Sequence, residues 1–356
     1  MELRIKQKLL ALLFIMGMCF MNGFVEASEF NFAVTPIAPE QQIDKEKTYF
    51  DIQLNPEQKE ELKVELRNDT EQEVTIDVSL NSATTNSNVV VEYGENNIEK
   101  DESLTIDLED YVEYPKVVTL QPKSTQIVKF AVEMTKEKFD GVLAGGITFK
   151  ERQKEEKETN DQGLSIKNEY AYVIALLLRQ NLNEVAPNLL LHEVEPGQIN
   201  ARNVILANVQ NDTKTYINQV AIDTQITKKG SDKILYQEEK EQLQIAPNSN
   251  FSFPTALNGA ALEPGEYHLS MTIFGNENDA GKFTRTHGTK TTKYNNQWKF
   301  EKDFTIDGKL AKTLNEKDVT IKTDYTWLYI LVGMMFLLLV FLLILLVRRK
   351  KKNEDQ

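Results

Sequence analysis

The chain has 356 residues, a formal net charge of −13 and 27% charged side chains. An acidic surplus of this size excludes nucleic acid and anionic membrane surfaces as expected partners, because phosphate binding needs clustered Lys and Arg. The single cysteine, Cys19, lies near the N-terminus, so the rest of the chain must fold on hydrophobic cores without disulfides, which domain-sized stretches are long enough to do.

The N-terminal segment "MELRIKQKLLALLFIMGMCFMNGFVEAS" places Arg4, Lys6 and Lys8 before an apolar run from Leu9 to Phe20, with Val25 and Ala27 ahead of Ser28. This pattern predicts a cleaved signal peptide over 1–27; an uncleaved anchor is the competing reading, disfavoured because the run is short for a span. Met18 stands before Cys19 where a lipoprotein signal would carry a small residue.

From Ser28 onward apolar residues alternate with polar ones. Leu62, Val64 and Leu66 share one face and, after "RNDTEQE", so do Val74, Ile76 and Val78. Each set predicts a half-buried strand, with a turn between them. Further strands are expected in "VVVEYG", "TQIVKFAVEM", "GVLAGGITFK" and "NEYAYVIALLLR". In "FDGVLAGGITFK" Gly141 is expected to supply a turn, and Gly145-Gly146 a bulge or a close backbone approach. The charged "ERQKEEKETNDQG" then predicts a long hairpin loop before the last strand of a first domain over 28–183. Proline interrupts the pattern in "NEVAPN" (183–188), where the domain boundary falls.

The second half repeats this plan. "LKVELRNDTEQEVTIDVSL" aligns with "ILANVQNDTKTYINQVAIDTQI", which sets Asn68-Asp69-Thr70 over Asn211-Asp212-Thr213. Likewise "LQPKSTQIVKFAV" aligns with "IAPNSNFSFPTAL", and Asp140-Gly141 with Pro264-Gly265. Asn-Asp-Thr is a turn former whose side chains bond their own backbone, so it is read as structure rather than as a ligand site. The expected fold is therefore all-β, two tandem Ig-like β-sandwich domains (28–183 and 188–309).

A polar stalk is expected over 310–326. Then "WLYILVGMMFLLLVFLLILLV" (327–347) has no charged residue and about the ~20 residues that cross a bilayer core, predicting a single C-terminal transmembrane helix. The basic tail 348–356 is placed in the cytoplasm by the positive-inside rule, and the bulk of the chain outside. Residues 1–27 contribute +1 and residues 348–356 contribute +3, so the part between them carries −17. "KTDYTWLYI" holds no LPxTG-type sorting motif, so the expectation is retention in the cell membrane.

Candidate chemistry is sparse. His192, His268 and His287 stand apart, with no H-E-x-x-H pair, no G-x-S-x-G elbow and no phosphate-binding glycine loop. "GNENDAGK" (275–282) lacks the ligand order of a calcium loop and is read as a hairpin loop. No catalytic, cofactor-binding or metal residues are assigned, no cofactor is expected, and the binding residues are unknown. Strand edges and end loops remain the expected working surfaces.

With "FNFAVTPIAPEQQIDKEKTYFDIQLNP", "LKVELRNDTEQEVTIDV", "GVLAGGI" and "YAYVIALLL", the first half resembles the N-terminal domain of the WxL-interacting proteins of Gram-positive bacteria. "ARNVILANVQN", "TKKGSDKILY", "APNSNFSFP", "LEPGEYHLSM" and "KTLNEKDV" resemble the family's second domain, in the same order. Gln41-Gln42 and Pro56-Glu57-Gln58 depart locally from the family pattern. The resemblance implies peptidoglycan binding by the first domain, contact with host proteins such as extracellular-matrix proteins by the second, and partnership with WxL-domain surface proteins. The expectation is a non-enzymatic cell-surface adaptor. The alternatives are an accessory or catalytic component of cell-wall remodelling and a sensor, the latter needing a membrane partner because the tail is only "RRKKKNEDQ".

Overall fold

The computed structural model describes residues 31–152, 170–321 and 326–354. The expected signal peptide 1–27 lies outside the described residues.

Alternation dictates the first sandwich. Its strands are β1 (Ala33–Ile37), β2 (Phe50–Gln53), β3 (Lys59–Asn68), β4 (Val74–Ser82), β5 (Thr84–Thr85), β6 (Val91–Glu92), β7 (Val112–Glu113), β8 (Val117–Leu120), β9 (Ser124–Glu133), β10 (Leu143–Glu151) and β11 (Ala171–Arg179). A short 3-10 helix, Leu108–Tyr111, precedes β7. Every second side chain of β4 is buried, as a strand with one face on a core requires. One sheet runs β1-β3-β9-β7 and the other β2-β11-β10-β4-β8, with β5-β6 as a separate ribbon. Leu62, Val64, Ile76, Phe130, Ile147, Phe149 and Leu176 fill the space between the sheets. β10 and β11 form the expected hairpin, while its charged connection falls largely outside the described residues. β11 also pairs in parallel with β2.

The second sandwich comprises β12 (Leu190–Ile199), β13 (Arg202–Asn211), β14 (Ile217–Lys228), β15 (Ile234–Ile245), β16 (Ser249–Ala256), β17 (Gly265–Glu277), β18 (Phe283–His287) and β19 (Lys290–Ile306). Its sheets run β12-β13-β16 and β15-β14-β17-β19-β18, closed on Val209, Ile222, Phe253, Tyr267, Leu269 and Ile273.

The internal repeat holds at atomic detail. Asn68 and Asn211 are both fully buried. Each accepts from its own threonine, Asn68 Oδ1 from Thr70 N and Oγ1 and Asn211 Oδ1 from Thr213 N and Oγ1. Each donates to carbonyls across its turn, Gln72 O at 2.7 Å and Thr215 O at 2.8 Å. In the partner turns Lys123 and Asn248 have φ of 53° and 46°, and their N–H groups bond Thr70 O and Thr213 O, each at 3.1 Å.

Three expectations are corrected. "GNENDAGK" is not a hairpin loop, because β17 and β18 pair not with each other but with β19, a strand long enough to receive both. "VVVEYG" contributes only the two-residue β6, because Val89 leaves the first sandwich for the second core. The stalk expected over 310–326 is in its first half part of the body. α1 (Gly308–Lys317) is capped by Asp307, whose carboxylate accepts from Lys309 N and Leu310 N, and it buries Ala311. Asn315 exchanges hydrogen bonds with both backbone groups of Leu262, and Asp318 accepts from Asn203 N at 2.7 Å. The segment reads as polar because one narrow face suffices for this docking.

α2 spans Thr326–Glu354. Among the described residues no helix is long and apolar enough to cross a membrane, with side chains of α2 described for 330–344 only. Those side chains are nearly all apolar and stand exposed, including Met335 at 62% and Phe336 at 67%.

Candidate binding surfaces and the seam between the sandwiches

The glycine-rich stretch 141–146 lies at the junction of the two sandwiches. Gly141 has φ +91°, and a Cβ there would run into the carbonyl of Lys214 from the second sandwich; that carbonyl accepts from Val142 N at 2.8 Å. A Cβ on Gly146 would lie 2.5 Å from Tyr93 Cβ. The register of β10 runs without a bulge against both neighbours, so the glycine pair serves close approach. Gly145 makes room for Leu108 and the Asn81 carbonyl, and Gly146 for Tyr93, which belongs to the segment 83–107 that crosses to the second sandwich.

Along that crossing, Thr85 Oγ1 bonds Ser249 Oγ at 2.7 Å and accepts from Ala246 N. Val89 is fully buried in the second core at a φ of 59°, a left-handed conformation that β-branched residues avoid. Tyr93 and Tyr216 meet hydroxyl to hydroxyl at 3.1 Å, and burial pushes the Tyr216 hydroxyl well above the usual range. Asp101 accepts from Gln210 and Asn250 at 2.8 and 2.7 Å. Burial raises the pKa of its carboxyl, but bonds from Ser103, Gln210 and Asn250 outweigh that and hold it below the ordinary value. A small apolar cluster of Ala83, Val142, Ala144, Leu177 and Ala246 completes the seam. These contacts interlock the sandwiches rather than merely linking them.

Open edges and grooves remain outside the buried contacts of the seam. β9 pairs with β3 along its length but with β7 only at Ala131 and Val132, leaving an open edge over 124–130 among the described residues. β15, another edge strand, carries Glu238, Glu239, Lys240 and Glu241, charges that blunt edge pairing. A groove of about 630 Å³ beside β7 and β9 is rich in carboxylates, among them Glu60, Asp110, Glu113 and Glu137. Burial and then the Glu40 charge raise the Glu60 pKa, and with its carboxylates offset only by Lys59 and Lys136 the groove is acidic. Two further cavities flank the linker at Leu182, one walled mainly by the amides of Gln41, Gln42, Gln53 and Asn55, the other by the linker itself with Arg179, Glu184, Asn183, Asn276, Asn295 and Asn296.

The histidines remain apart. His192 bonds Gln210 at 2.7 Å. His268, on the outer face of β17, bridges Asp303 at 2.6 Å and Glu301 at 2.8 Å. His287 lies 3.2 Å from Glu239. Among the described residues no group of three or more His, Cys, Asp or Glu is placed to hold a metal ion. The seam residues and the amide cavities escaped sequence reading. The run of Gln and Asn between 41 and 58 was the available signal, though amides in turns are too common to single out.

Fold and surfaces together define a class: a tandem pair of Ig-like sandwiches that offers grooves and edges for binding. Residues 32–151 match the WxL Interacting Protein, peptidoglycan binding domain, and residues 161–316 match the WxL Interacting Protein, host binding domain. The chain belongs to the WxL-interacting protein family. The second match begins before β11, although that strand completes the first sandwich by pairing with β10 and β2. No curated protein matches the chain. Among solved structures, the chaperone–tip adhesion subunit pre-assembly complex of the Csu pili of Acinetobacter baumannii is similar at 10% identity and TM-score 0.30, covering 63% of this chain and 90% of that one. The Salmonella enterica SafA pilin in complex with the SafB chaperone is similar at 11% identity and TM-score 0.29, covering 70% and 92%. A PapD-like domain of human CEP192 is similar at 11% identity and TM-score 0.26, covering 46% and 97%.

Proposed function

We propose that this chain is a non-enzymatic adaptor of the Gram-positive cell surface. Its first sandwich binds peptidoglycan, its second contacts host extracellular-matrix proteins, and the whole molecule holds WxL-domain surface proteins. One observation carries this reading: two domains matched to binding families sit in one chain, joined by a seam that holds one against the other.

In the same reading, the apolar run Trp327–Val347 anchors the chain as a single membrane span, with residues 348–356 in the cytoplasm. The support for this is in the sequence: Trp327–Val347 carries no charged residue and has about the ~20 residues that cross a hydrocarbon core. Its exposed apolar side chains are expensive in water and stable in lipid. With α1 held on the body, few residues separate the second sandwich from α2, so the adaptor works close to the membrane and a partner must reach outward.

The test is a pull-down with the exported part, Ser28–Thr326, against insoluble peptidoglycan and against purified WxL-domain proteins. Retention on both supports the adaptor. Retention on neither, by protein shown to be folded, rejects it. Release of soluble muropeptides would favour wall remodelling instead.

A further inference from the structure

Two cavities lie side by side where the linker crosses between the sandwiches, and Leu182 lines both. The one on the first sandwich measures about 410 Å³ and is walled by Gln41, Gln53 and Asn55 together with Ile43. The one beyond Leu182 measures about 590 Å³ and includes Asn295 and Asn296 of β19. Leu182 itself is 62% exposed and Ile43 42%, so the amide walls are interrupted by apolar patches. Each volume lies within the ~300–1,000 Å³ of ligand cavities.

The walls have a definite chemistry. A carboxamide offers N–H donors and a carbonyl acceptor with no charge. Asn55 donates to Gln58 at 3.1 Å and keeps its own carbonyl as an acceptor. Gln41 Oε1 is shut away from solvent without a hydrogen-bond partner among the described residues. A buried carbonyl in that state gains by turning toward any donor a ligand brings. The larger cavity draws on both sandwiches, with Gly141 and Arg179 from the first and Thr215, Asn276, Asn295 and Asn296 from the second, so the seam that holds the sandwiches together also sets its place beside the cavity on the first.

We propose that the two cavities form one track for a chain of N-acetylated amino sugars, with Leu182 as the apolar ridge between successive units. The inference rests on the reading that the chain binds peptidoglycan, and it names the part recognised as the glycan strand. An acetamido group presents one N–H, one carbonyl and one methyl. Amide walls answer the first two, and Leu182 and Ile43 answer the third. The one cation lining the two cavities among the described residues, Arg179, is already held by Asp51 at 2.8 Å, so the free carboxylates of a stem peptide find no uncommitted positive charge beside Glu40 and Glu184, and an amine is better served by the acidic groove near β7.

The experiment uses the full-length chain in detergent with insoluble peptidoglycan, before and after an amidase removes the stem peptides. A four-unit oligomer of N-acetylglucosamine is the competitor, and the corresponding glucose oligomer is its control. The expected result is retention on stripped glycan and competition by the N-acetylated oligomer alone. Gln41→Leu and Leu182→Asp should each weaken binding about tenfold, with melting temperatures unchanged. Binding that disappears with the stem peptides, equal competition by both oligomers, or wild-type affinity in both variants would overturn the inference while leaving peptidoglycan binding intact. Failure of the unaltered chain to bind peptidoglycan at all would overturn the underlying reading as well.

Discussion

Val89 belongs to the first sandwich by sequence and to the second by packing, and its carbonyl accepts the backbone N–H of Gln244 at 3.1 Å. A fully buried side chain at a left-handed backbone position is a plug held by its surroundings. Val89→Ala should cost about 2–3 kcal/mol through lost burial and the cavity left behind, measured by urea unfolding. Because the plug joins two cores, the variant should also broaden a single calorimetric transition toward two.

Gly141→Ala tests the opposite side of the seam. The added methyl meets the Lys214 carbonyl, and backbone cannot yield as a side-chain tip can. The combined strain of left-handed backbone and overpacking should destabilise by about 2–4 kcal/mol. An unchanged melting temperature would show that the seam opens freely.

Asn68→Ala and Asn211→Ala should behave alike. Each removes a buried amide that satisfies carbonyls in the partner turn, Leu120 and Gln121 in one case and Ala246 in the other. Stranding these groups costs about 1–3 kcal/mol each, read as a lower urea midpoint. Because Asn211 shares the Ala246 carbonyl with Ser249, which touches the seam, its loss should also loosen the contact to Thr85.

These two turns show what the sequence makes legible. Asn-Asp-Thr bonds within a few residues, so its geometry is readable from a local string, as is the alternation of Leu62, Val64 and Leu66. Val89 was not readable, because nothing in "NSNVVVEYG" says which of two cores will take the central valines. The docking of α1 was hidden for a related reason: Ala311, Asn315 and Asp318 are ordinary residues of a polar helix, and only their position against Leu262 and Asn203 makes them part of the body. The amide track, formed by segments more than a hundred residues apart, has no local signature.

His268 contributes a pH dependence whose sign follows from its partners. Its hydrogen bonds to Asp303 and then Glu301 raise its pKa above the ordinary 6.5. A raised folded pKa gives stability that is fully present below the unfolded value and lost as pH rises through the folded one. Asp303, held low first by His268, gives stability that is lost in the opposite direction, as pH falls through its own folded value. The difference in melting temperature between the natural chain and His268→Gln should therefore be largest between the two, shrinking above neutrality and again in strong acid.

Arg285 is 5% exposed, bonded to both carboxylate oxygens of Asp223 and to Glu241 at 3.1 Å. It fastens the β18–β19 hairpin over β14 and β15. Arg285→Ala leaves Asp223 without its cation and should cost about 1–3 kcal/mol, less than a fully buried pair because the Asp223 and Glu241 carboxylates stay partly in water, with faster hydrogen exchange in β18 than elsewhere. Arg285→Lys should recover little, since an ammonium cannot reproduce the planar fork.

Interlocking of the sandwiches also bears on load. Were the chain fixed, as proposed, to a rigid polymer at one end and to a fluid sheet at the other, any pull between the two would pass through the contacts around Val89, Thr85 and Asp101. Those contacts lie on crossing segments rather than on one extended linker, so several hydrogen bonds must fail together before the halves part. The molecule would transmit tension as a stiff coupling, and a partner held on either half would feel the other half move.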